Sequence, residues 1–150
     1  MEIDPIGSEF VKGVYTSRDL RLSHPIFLKV FPELKTEFGL LTKMELHISC
    51  TYRSPRAQQD LYAIGRQKSP IGKGYIVTNC DGVKNLSNHN LWPSRALDCY
   101  ITYAGKAVWD KDAFKPLGEL APKYGLVWGG SWERWKDLPH LELAGTESIS

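Results

Sequence analysis

The chain has 150 residues, of which 42% are hydrophobic and 24% charged, and its 19 basic and 17 acidic side chains give a net charge of +2. This is the length and composition of one globular domain, and it excludes a disordered chain or a coiled coil. No apolar run approaches the roughly 20 residues that a membrane span needs, the weak net charge gives no argument for nucleic acid, and three widely spaced cysteines exclude a disulfide framework.

The first ten residues, MEIDPIGSEF, are predicted to be a cloning remnant, because residues 7–10 are the translation of two adjacent cloning sites. The native part, residues 11–150, contains no internal repeat and no change of composition that would mark a boundary, so it is predicted to form a single domain. The chain does not open with the basic, apolar and small-residue pattern of a signal peptide.

The first helix is predicted from apolar residues that recur every four positions between residues 26 and 38. Ser23 is expected to cap it just before Pro25, and Gly39 is expected to end it. Pro32 lacks the amide hydrogen that a helix interior requires, so a kink or a split is predicted at that position.

Two further helices follow the same pattern of a cap, an apolar stripe and a glycine stop. Ser54 is expected to cap the second helix, which Gly65 ends. The third helix is predicted over residues 114–124 and is ended by Gly125. Residues 81–95 are polar and rich in turn formers, which predicts a loop between the elements on either side.

Five short segments have the composition and alternation of β-strands, and they cover residues 45–53, 75–78, 96–101, 126–128 and 138–143. Short strands interspersed with helices suit an antiparallel sheet rather than a parallel one. The predicted fold class is therefore α+β.

Polar side chains leave three of these strands on the face away from the apolar residues. The alternation places Cys50 on the apolar face of the first strand and Arg53 at the end of its polar face. Asp98 lies on the opposite face to its apolar neighbours, and His140 and Glu142 share the polar face of the last strand. Asp98 and His140 are therefore expected to point into one cleft with the core behind them.

A catalytic zinc site uses three protein ligands, typically His nitrogens and carboxylate oxygens, and leaves a fourth position to water. Among the four histidines, His89 lies nine positions before Asp98, and His140 lies three positions after Asp137. The candidate ligands are therefore His89, Asp98 and His140. Asp137 precedes the last strand and is expected to reach the reacting water without binding the metal.

A cysteine peptidase is the competing hypothesis, with Cys50 or Cys80 as the nucleophile and His89 as its base. The predicted apolar face of Cys50 indicates packing rather than reactivity. Cys80 lies at the end of a predicted strand, a more suitable place, but no partner spacing in the sequence supports it.

Motifs distributed along most of the native chain, taken in order, carry a family resemblance. They are Tyr-Arg-Ser at 52–54, Gln-Gln at 58–59, Leu-Tyr at 61–62, Gly-Arg at 65–66, residues 76–82, Ser-Asn-His-Asn at 87–90, Ser-Arg-Ala-Leu-Asp at 94–98, Trp-Gly-Gly at 128–130 and residues 137–142. Each motif alone is weak, but the ordered set resembles the zinc peptidases that include D-alanyl-D-alanine carboxypeptidases and phage L-alanyl-D-glutamate endopeptidases.

The resemblance implies that His89, Asp98 and His140 bind zinc and that Asp137 fills the position of the catalytic carboxylate. It also implies that Arg53 holds the substrate or stabilises the carbonyl oxygen as negative charge builds on it. The spacing from His89 to Asp98 is longer than the one commoner in the family. A subgroup of phage lysins carries a similar Pro-Ser-Arg-Ala stretch, which indicates a longer loop rather than a lost site.

Three further residues are expected to contact the substrate, namely Ser87, Trp128 and Glu142. Glu142 is also the rival general base, but two residues along a strand span roughly 6.6 Å, which is far for a group that must touch the same water as His140. Trp128, Trp132 and Trp135 are each expected either to pack in the core or to line the groove near the site.

The resemblance implies a small antiparallel sheet with helices packed on one side and the zinc site in an open cleft. The predicted function is a zinc-dependent peptidoglycan peptidase, a phage or prophage endolysin that cleaves the L-alanyl-D-glutamate bond of stem peptides. A D-alanyl-D-alanine carboxypeptidase and a catalytically silent wall-binding domain are the alternatives. The enzyme is expected to be a monomer without nucleic acid or membrane insertion, made in the bacterial cytoplasm and active on the wall after release.

Overall fold

A computed structural model describes residues 13–64, 66, 77–133 and 136–145 of the chain. The predicted cloning remnant, the stop at Gly65, the first half of the strand over residues 75–78 and the position of Trp135 lie outside these residues. No helix in the described part of the chain is long and apolar enough to cross a membrane.

The described residues form three α-helices and five β-strands, joined by loops and short 3-10 turns. The helices are α1 (Pro25–Thr42), α2 (Pro55–Ala63) and α3 (Lys111–Leu120). The strands are β1 (Glu45–Cys50), β2 (Ala96–Tyr103), β3 (Lys106–Val108), β4 (Leu126–Trp128) and β5 (His140–Leu143). The 3-10 turns cover Leu20–Leu22, Asn88–Asn90, Ala121–Tyr124 and Gly129–Ser131.

The strands form one antiparallel sheet in the order β1-β2-β5-β4, with β3 also paired to β2. This confirms the α+β class. Strand β3 is an addition that the alternation pattern did not predict. It follows a two-residue turn in which both Ala104 (φ 51°) and Gly105 (φ 79°) have positive φ, the turn whose twist matches that of a hairpin.

The core lies between one face of the sheet and the helices α1 and α3. Four side chains from α1, two large ones from α3 and the inward residues of β1, β2 and β5 form one cluster of buried apolar groups, namely Phe27, Phe31, Leu34, Phe38, Phe114, Leu117, Leu46, Leu97, Ile101, Leu141 and Leu143. The helices of this cluster pack on one side of the sheet, as expected. The opposite face of the sheet is left for the polar side chains.

Helix α1 differs from its prediction at both ends, and of the two outcomes predicted at Pro32, a kink or a split, the structure excludes the split. It is one helix that includes Pro32, because its buried stripe of aromatic residues packs on the sheet above and below that position. His24, not Ser23, is the cap, and its Nδ1 accepts a hydrogen bond from the Ile26 amide. The helix passes Gly39 and ends where Lys43 adopts a left-handed conformation (φ 64°).

The other predicted boundaries agree more closely with the structure. Ser54 caps α2 by accepting a hydrogen bond from the amide of Ala57. Gly125 (φ 74°) ends the 3-10 turn that follows α3, as predicted. Val77 and Thr78 are described but are not in a strand, so the second half of the strand predicted over residues 75–78 is wrong.

An irregularity in β1 reverses the prediction for Cys50. The register of β1 against β2 shifts between Ile48, which pairs with Cys99, and Cys50, which pairs with Asp98. Directly paired residues share a face of the sheet. The shift, a β-bulge, therefore moves Cys50 from the core face to the face that carries Asp98, and Cys50 is absent from the apolar core cluster.

Candidate active site

A cavity of about 440 Å³ opens on the polar face of the sheet. Six of the residues predicted for the site line it, namely Arg53, Ser87, His89, Asp98, Asp137 and His140. They come from four separate places in the chain: the segment after β1, the loop before β2, β2 itself, and the start of β5 with the residues just before it. The fold thus assembles the candidate site that the sequence predicted from distant segments.

Asp98 and His140 are neighbours because their strands pair in the register that sets them directly opposite each other. His89 reaches them from the 3-10 turn at Asn88–Asn90, where the Ser87 hydroxyl accepts a hydrogen bond from the His89 amide. The Arg53 amide donates to the His89 carbonyl oxygen at 2.9 Å. This turn is therefore attached to the segment that follows β1, and His89 is held above the sheet.

The carboxylate of Asp98 is the centre of the cluster. Its Oδ1 lies 3.2 Å from Nε2 of His89 and 3.3 Å from Nδ1 of His140. Its Oδ2 accepts a hydrogen bond from Nη2 of Arg53 at 3.1 Å. One carboxylate oxygen thus faces both imidazoles, and the arginine holds the other.

Each imidazole is oriented by a bond from its far nitrogen. Nδ1 of His89 donates to the Thr51 carbonyl oxygen at 2.8 Å, and Nε2 of His140 donates to Oε1 of Glu142 at 2.8 Å. These bonds leave Nε2 of His89 and Nδ1 of His140 facing Asp98. Metal-binding histidines are oriented in this way, with the outer nitrogen bonded to a carbonyl or a carboxylate.

Nε2 of His89 is buried and makes no aligned hydrogen bond within the part of the chain that the structure describes. His89 as a whole is 2% exposed, so water does not reach this nitrogen from the surface. A buried nitrogen without such a partner is costly unless a ligand satisfies it. Its lone pair, turned toward an anionic carboxylate, suits a metal ion.

The charges of the cluster favour a cation at the same place. Burial alone would raise the pKa of Asp98, but His89 and His140 hold that pKa well below its usual range. Burial lowers the pKa of His89, yet the charge of Asp98 outweighs this effect and raises the pKa to about 10. The structure therefore stabilises positive charge beside Asp98, which is the charge that a divalent metal ion supplies.

Two overlapping groups of donor atoms meet at Asp98. One group is Cys50, His89 and Asp98, the other is Asp98, Asp137 and His140, and within each the donor atoms lie within 4.8 Å of one another. Nitrogen and carboxylate oxygen suit zinc and related divalent ions. The residues present therefore fit a metal ion, with Asp98 common to both groups.

Asp137 lies at the rim of the cavity, where its side chain is 45% exposed and its Oδ2 is 3.9 Å from Nδ1 of His140. Its backbone amide donates to the Gly129 carbonyl oxygen at 3.1 Å. A side chain at Gly129 would collide with the Asp137 carbonyl oxygen and touch His140, so only glycine allows this close approach. Partial burial and the charge of Asp98 raise the pKa of the Asp137 carboxyl.

A buried glutamine that the sequence analysis left without a role fixes Arg53. Nη1 of Arg53 donates to Oε1 of Gln58 at 2.9 Å, and Nε2 of Gln58 donates to the Cys80 carbonyl oxygen at 2.9 Å. Gln58 is fully buried. Its place in the ordered motifs, five residues after Arg53 and in the first turns of α2, was the only signal available in the sequence.

The long spacing between His89 and Asp98 forms a loop that packs against the segment before α1. The amide of Ser94 donates to the Leu22 carbonyl oxygen, and the amide of His24 donates to the Ser94 carbonyl oxygen, so this loop packs on the segment before α1. The Ser94 hydroxyl donates to the Thr51 carbonyl oxygen at 2.8 Å, the same oxygen that orients His89. The longer loop therefore supports the position of His89.

The three residues predicted to contact the substrate lie in different places. Ser87 lines the cavity, although its hydroxyl caps the turn that carries His89. Glu142 is 2% exposed and bonds His140, so it supports that imidazole and does not face the cavity. Trp128 lies outside the cavity, where its ring packs over Gly130 and its Nε1 donates to the Leu138 carbonyl oxygen. Trp132 lines the cavity instead, with its ring 5.0 Å from that of His140.

The geometry argues against Cys80 as the nucleophile of a cysteine peptidase. Cys80 is buried beside Gln58 and does not line the cavity that holds His89. Burial raises the pKa of the Cys80 thiol, whereas an activated nucleophile needs a lowered pKa.

A cluster of two histidines and two aspartates on the open face of a small antiparallel sheet defines a metallopeptidase-like site. In agreement, residues 81–143 match the sequence model of a peptidase family described as D-alanyl-D-alanine carboxypeptidase. The chain is 36% identical over 102 residues to the peptidoglycan L-alanyl-D-glutamate endopeptidase CwlK of Bacillus subtilis (strain 168). That match covers 61% of this chain and 56% of CwlK, so the matched region is little more than half the length of this relative.

The fold is similar to the crystal structure of the L-Ala D-Glu endopeptidase ChiX of Serratia marcescens, with a TM-score of 0.59 and 24% sequence identity over 87% of this chain and 89% of that chain. This likeness shows the fold. Together the comparisons confirm the resemblance that the ordered motifs predicted: residues 81–143 are similar to the D-alanyl-D-alanine carboxypeptidase family model, and the chain is similar in sequence and in fold to L-alanyl-D-glutamate endopeptidases.

Proposed function

We propose that the chain is a zinc-dependent peptidoglycan endopeptidase that cleaves the L-alanyl-D-glutamate bond of stem peptides. The observation that carries the metal-dependent chemistry is the buried Nε2 of His89, which faces Asp98 beside His140 in an open cavity and has no aligned hydrogen-bond partner among the described residues. The choice of bond is supported by the similarity to CwlK, which is named for that activity.

In this proposal His89, Asp98 and His140 hold the zinc ion. Zinc, when bound, supplies a Lewis acid that polarises the scissile carbonyl and lowers the pKa of water. The Thr51 carbonyl oxygen and Glu142 keep the two imidazoles in the tautomers that present Nε2 and Nδ1 to the metal. Such outer partners give the site its geometry before the metal arrives.

Asp137 is proposed as the general base and acid. Its carboxylate is on the cavity rim next to His140 and is exposed enough to meet a substrate and a water molecule. It takes the proton of the attacking water and gives a proton to the amine that leaves, so the peptide bond is hydrolysed without a covalent intermediate. Glu142 cannot share this role, because it is buried behind His140.

Arg53 is proposed to have two functions. Its guanidinium holds Oδ2 of Asp98 and so orients Oδ1 toward the histidines. It also lines the cavity with its side chain 13% exposed, where it is close enough to the reacting centre to stabilise negative charge on the substrate. Gln58 fixes the guanidinium plane from the other side.

A D-alanyl-D-alanine carboxypeptidase is the second candidate, because the family whose sequence model matches residues 81–143 carries that description. The two activities differ in product. An endopeptidase at L-alanyl-D-glutamate leaves L-alanine on the sugar strand and creates a new amino terminus on D-glutamate or D-isoglutamine. A carboxypeptidase releases free D-alanine only.

The experiment is digestion of purified peptidoglycan by the zinc-loaded protein, with mass analysis of the fragments and labelling of new amino termini. We expect labelled D-glutamate or D-isoglutamine termini that appear with zinc and not after chelation. Free D-alanine as the only product would replace the endopeptidase with a carboxypeptidase. No released amine from protein that carries one zinc per chain would support a catalytically silent wall-binding domain.

We also propose that the chain is a phage or prophage lysin that acts on the wall after release from the cytoplasm. The support is the resemblance of residues 93–96 and the surrounding loop to a subgroup of phage lysins. Expression in a bacterial cytoplasm is expected to leave cells intact until a second protein permeabilises the membrane. Lysis without permeabilisation would contradict this proposal and would leave the bond specificity unaffected.

A further inference from the structure

The cavity has two walls, one on each side of Asp98. Arg53 follows β1, which pairs with one edge of β2, and His140 begins β5, which pairs with the other edge. The segment at Thr78 belongs to the Arg53 wall, because Gln58 bonds both the Arg53 guanidinium and the Thr78 hydroxyl. A peptide bound across Asp98 therefore meets one wall before the scissile bond and the other wall after it.

The wall on the other side carries a lysine directly before the proposed acid and base. It consists of Trp132, whose ring is 5.0 Å from that of His140, together with Lys136 and Asp137. Lys136 is exposed and lines the cavity. Among the residues that the structure describes, no carboxylate lies within 4 Å of its ammonium group.

The positive charge of Lys136 is therefore available to a substrate, whereas that of Arg53 is already engaged. The Arg53 guanidinium donates to Asp98 at 3.1 Å and to Gln58 at 2.9 Å, and its side chain is only 13% exposed. An anionic group on the substrate that lies beyond the scissile bond would meet Lys136 first.

The stem peptide has an anionic group at this place. D-Glutamate is joined to the next residue through its γ-carboxyl group, so its α-carboxylate is free. The carbon of that carboxylate is only about 2.5 Å from the leaving nitrogen, because both are attached to the same α-carbon. Asp137 gives its proton to that nitrogen in the proposed reaction, so the α-carboxylate lies close to Asp137 and to the lysine beside it.

We propose that Lys136 binds the α-carboxylate of the D-glutamate residue and so selects D-glutamate over D-isoglutamine. This inference rests on the proposed endopeptidase function. A lysine ammonium is a compact charge with three donors, which suits a single carboxylate, and its charge also offsets the repulsion between that carboxylate and Asp137. D-Isoglutamine has an uncharged amide in place of the α-carboxylate, so the charge-assisted hydrogen bond is lost.

The test compares two synthetic substrates that differ only in this group. They are N-acetylmuramyl-L-Ala-γ-D-Glu-L-Lys-D-Ala and its α-amide, the D-isoglutamine form, and the zinc-loaded chain is given each one separately. We expect kcat/KM to be about tenfold higher for the acid, at the lower end of what a hydrogen bond to a charged group contributes. The preference should shrink as salt is added, because the ion pair forms at an exposed rim.

Three variants show whether Lys136 is the source of this preference. Lys136→Gln should reduce the ratio of the two kcat/KM values to about one, with the loss on the acid substrate and with one zinc per chain retained. Lys136→Arg keeps the charge and should keep most of the preference. Lys106→Gln, at an exposed lysine of β3 outside the cavity, is the matched control and should leave the ratio as it is.

The outcomes separate this inference from the proposed function. Equal cleavage of acid and amide by the unsubstituted chain, or a preference that persists in Lys136→Gln, would overturn the role of Lys136 and leave the endopeptidase intact. Absence of cleavage between L-alanine and either residue by the zinc-loaded chain would overturn both.

Discussion

The two faces of the five-stranded sheet are built by different rules. On the face toward α1 and α3, residues such as Leu97, Ile101 and Leu141 follow simple alternation and are all fully buried. On the opposite face, Asp98 and His140 also obey alternation, but Cys50 arrives there only through a bulge, and His89 arrives from a 3-10 turn. The residues of the core face are therefore set by the alternation of side chains along the strands. The residues of the site face depend in addition on the bulge and on the 3-10 turn.

The difference shows how stability and chemistry are separated within a thin sheet. The core face contributes burial of apolar area, which tolerates small shifts of position. The site face needs atoms placed to within a fraction of an ångström, and it obtains this through hydrogen bonds that its side chains donate to the Thr51 carbonyl oxygen, to Glu142 and to Gln58. Substitutions on the two faces should therefore affect different measurements.

The largest effect on activity is expected for His89→Ala, because it removes the buried nitrogen that faces Asp98. We expect zinc occupancy to fall far below one per chain and turnover to drop by more than the roughly 10²–10⁴-fold that loss of a proton-transfer group causes. Elemental analysis and peptidoglycan hydrolysis measure both. His47→Ala is the matched control, since His47 lies on β1 but bonds Thr102 and stacks on Tyr100, outside the cavity. Full zinc occupancy in the His89 variant would refute the ligand assignment.

Asp137→Asn should separate proton transfer from metal binding. The variant keeps the size of the side chain and its rim position, so we expect one zinc per chain and an unchanged fold. The turnover number should fall by about 10²–10⁴-fold, because the amide cannot accept the proton. Asp112→Asn, an exposed aspartate paired with Lys115 on α3, serves as the control for removal of one carboxylate. A loss of zinc equal to the loss of activity would make Asp137 a ligand instead.

Glu142→Ala is expected to act through His140 and therefore to have a smaller effect on turnover. Removal of the carboxylate that accepts from Nε2 of His140 should lower zinc affinity by about 10–100-fold. Turnover should recover largely at saturating zinc, and Glu142→Gln should be milder because its amide oxygen still accepts that bond. Competition with a chromophoric chelator gives the affinity. A variant that binds zinc normally but stays inactive in excess zinc would show that Glu142 acts in the reaction itself.

Much of the core, and the clustering of the candidate ligands, could be predicted from the sequence. Strands β2 and β5 have regular alternation, so the directions of Asp98 and His140 followed from period two alone. The ordered motifs then linked His89 and Asp137 to them across long stretches of chain. These are the features for which local pattern and final position coincide.

The features that the sequence did not predict depend on tertiary contacts, about which a local pattern carries no information. The position of Cys50 depends on a bulge, which appears only when β1 is paired with β2. Pro32 does not split α1, because tertiary packing on both sides of it outweighs the lost hydrogen bond. The sequence left Trp128 open between packing and the groove, and the structure shows packing, because the glycines at 118 and 130 leave room for its ring away from the cavity. In each case contacts between distant parts of the chain determine the local structure.

The smallest effect on the chemistry is expected for a substitution on the core face, and it completes the comparison of the two faces. Ile101 on β2 is fully buried, points toward α1 and α3, and lies three residues beyond Asp98 on the same strand. Ile101→Ala should lower the free energy of unfolding by about 2–5 kcal/mol through lost burial and a residual cavity. Below its melting temperature the variant should still bind one zinc per chain and keep its turnover per folded molecule within about twofold, since this face holds no group that touches the site.

Tyr103→Ala, at the exposed end of the same strand, is the control and should change stability by only about 0.5 kcal/mol or less. Urea unfolding and metal analysis on the same preparations test both statements. A stable Ile101→Ala protein that loses its zinc would show that the two faces are mechanically coupled through β2, and the separation argued from the structure would not hold.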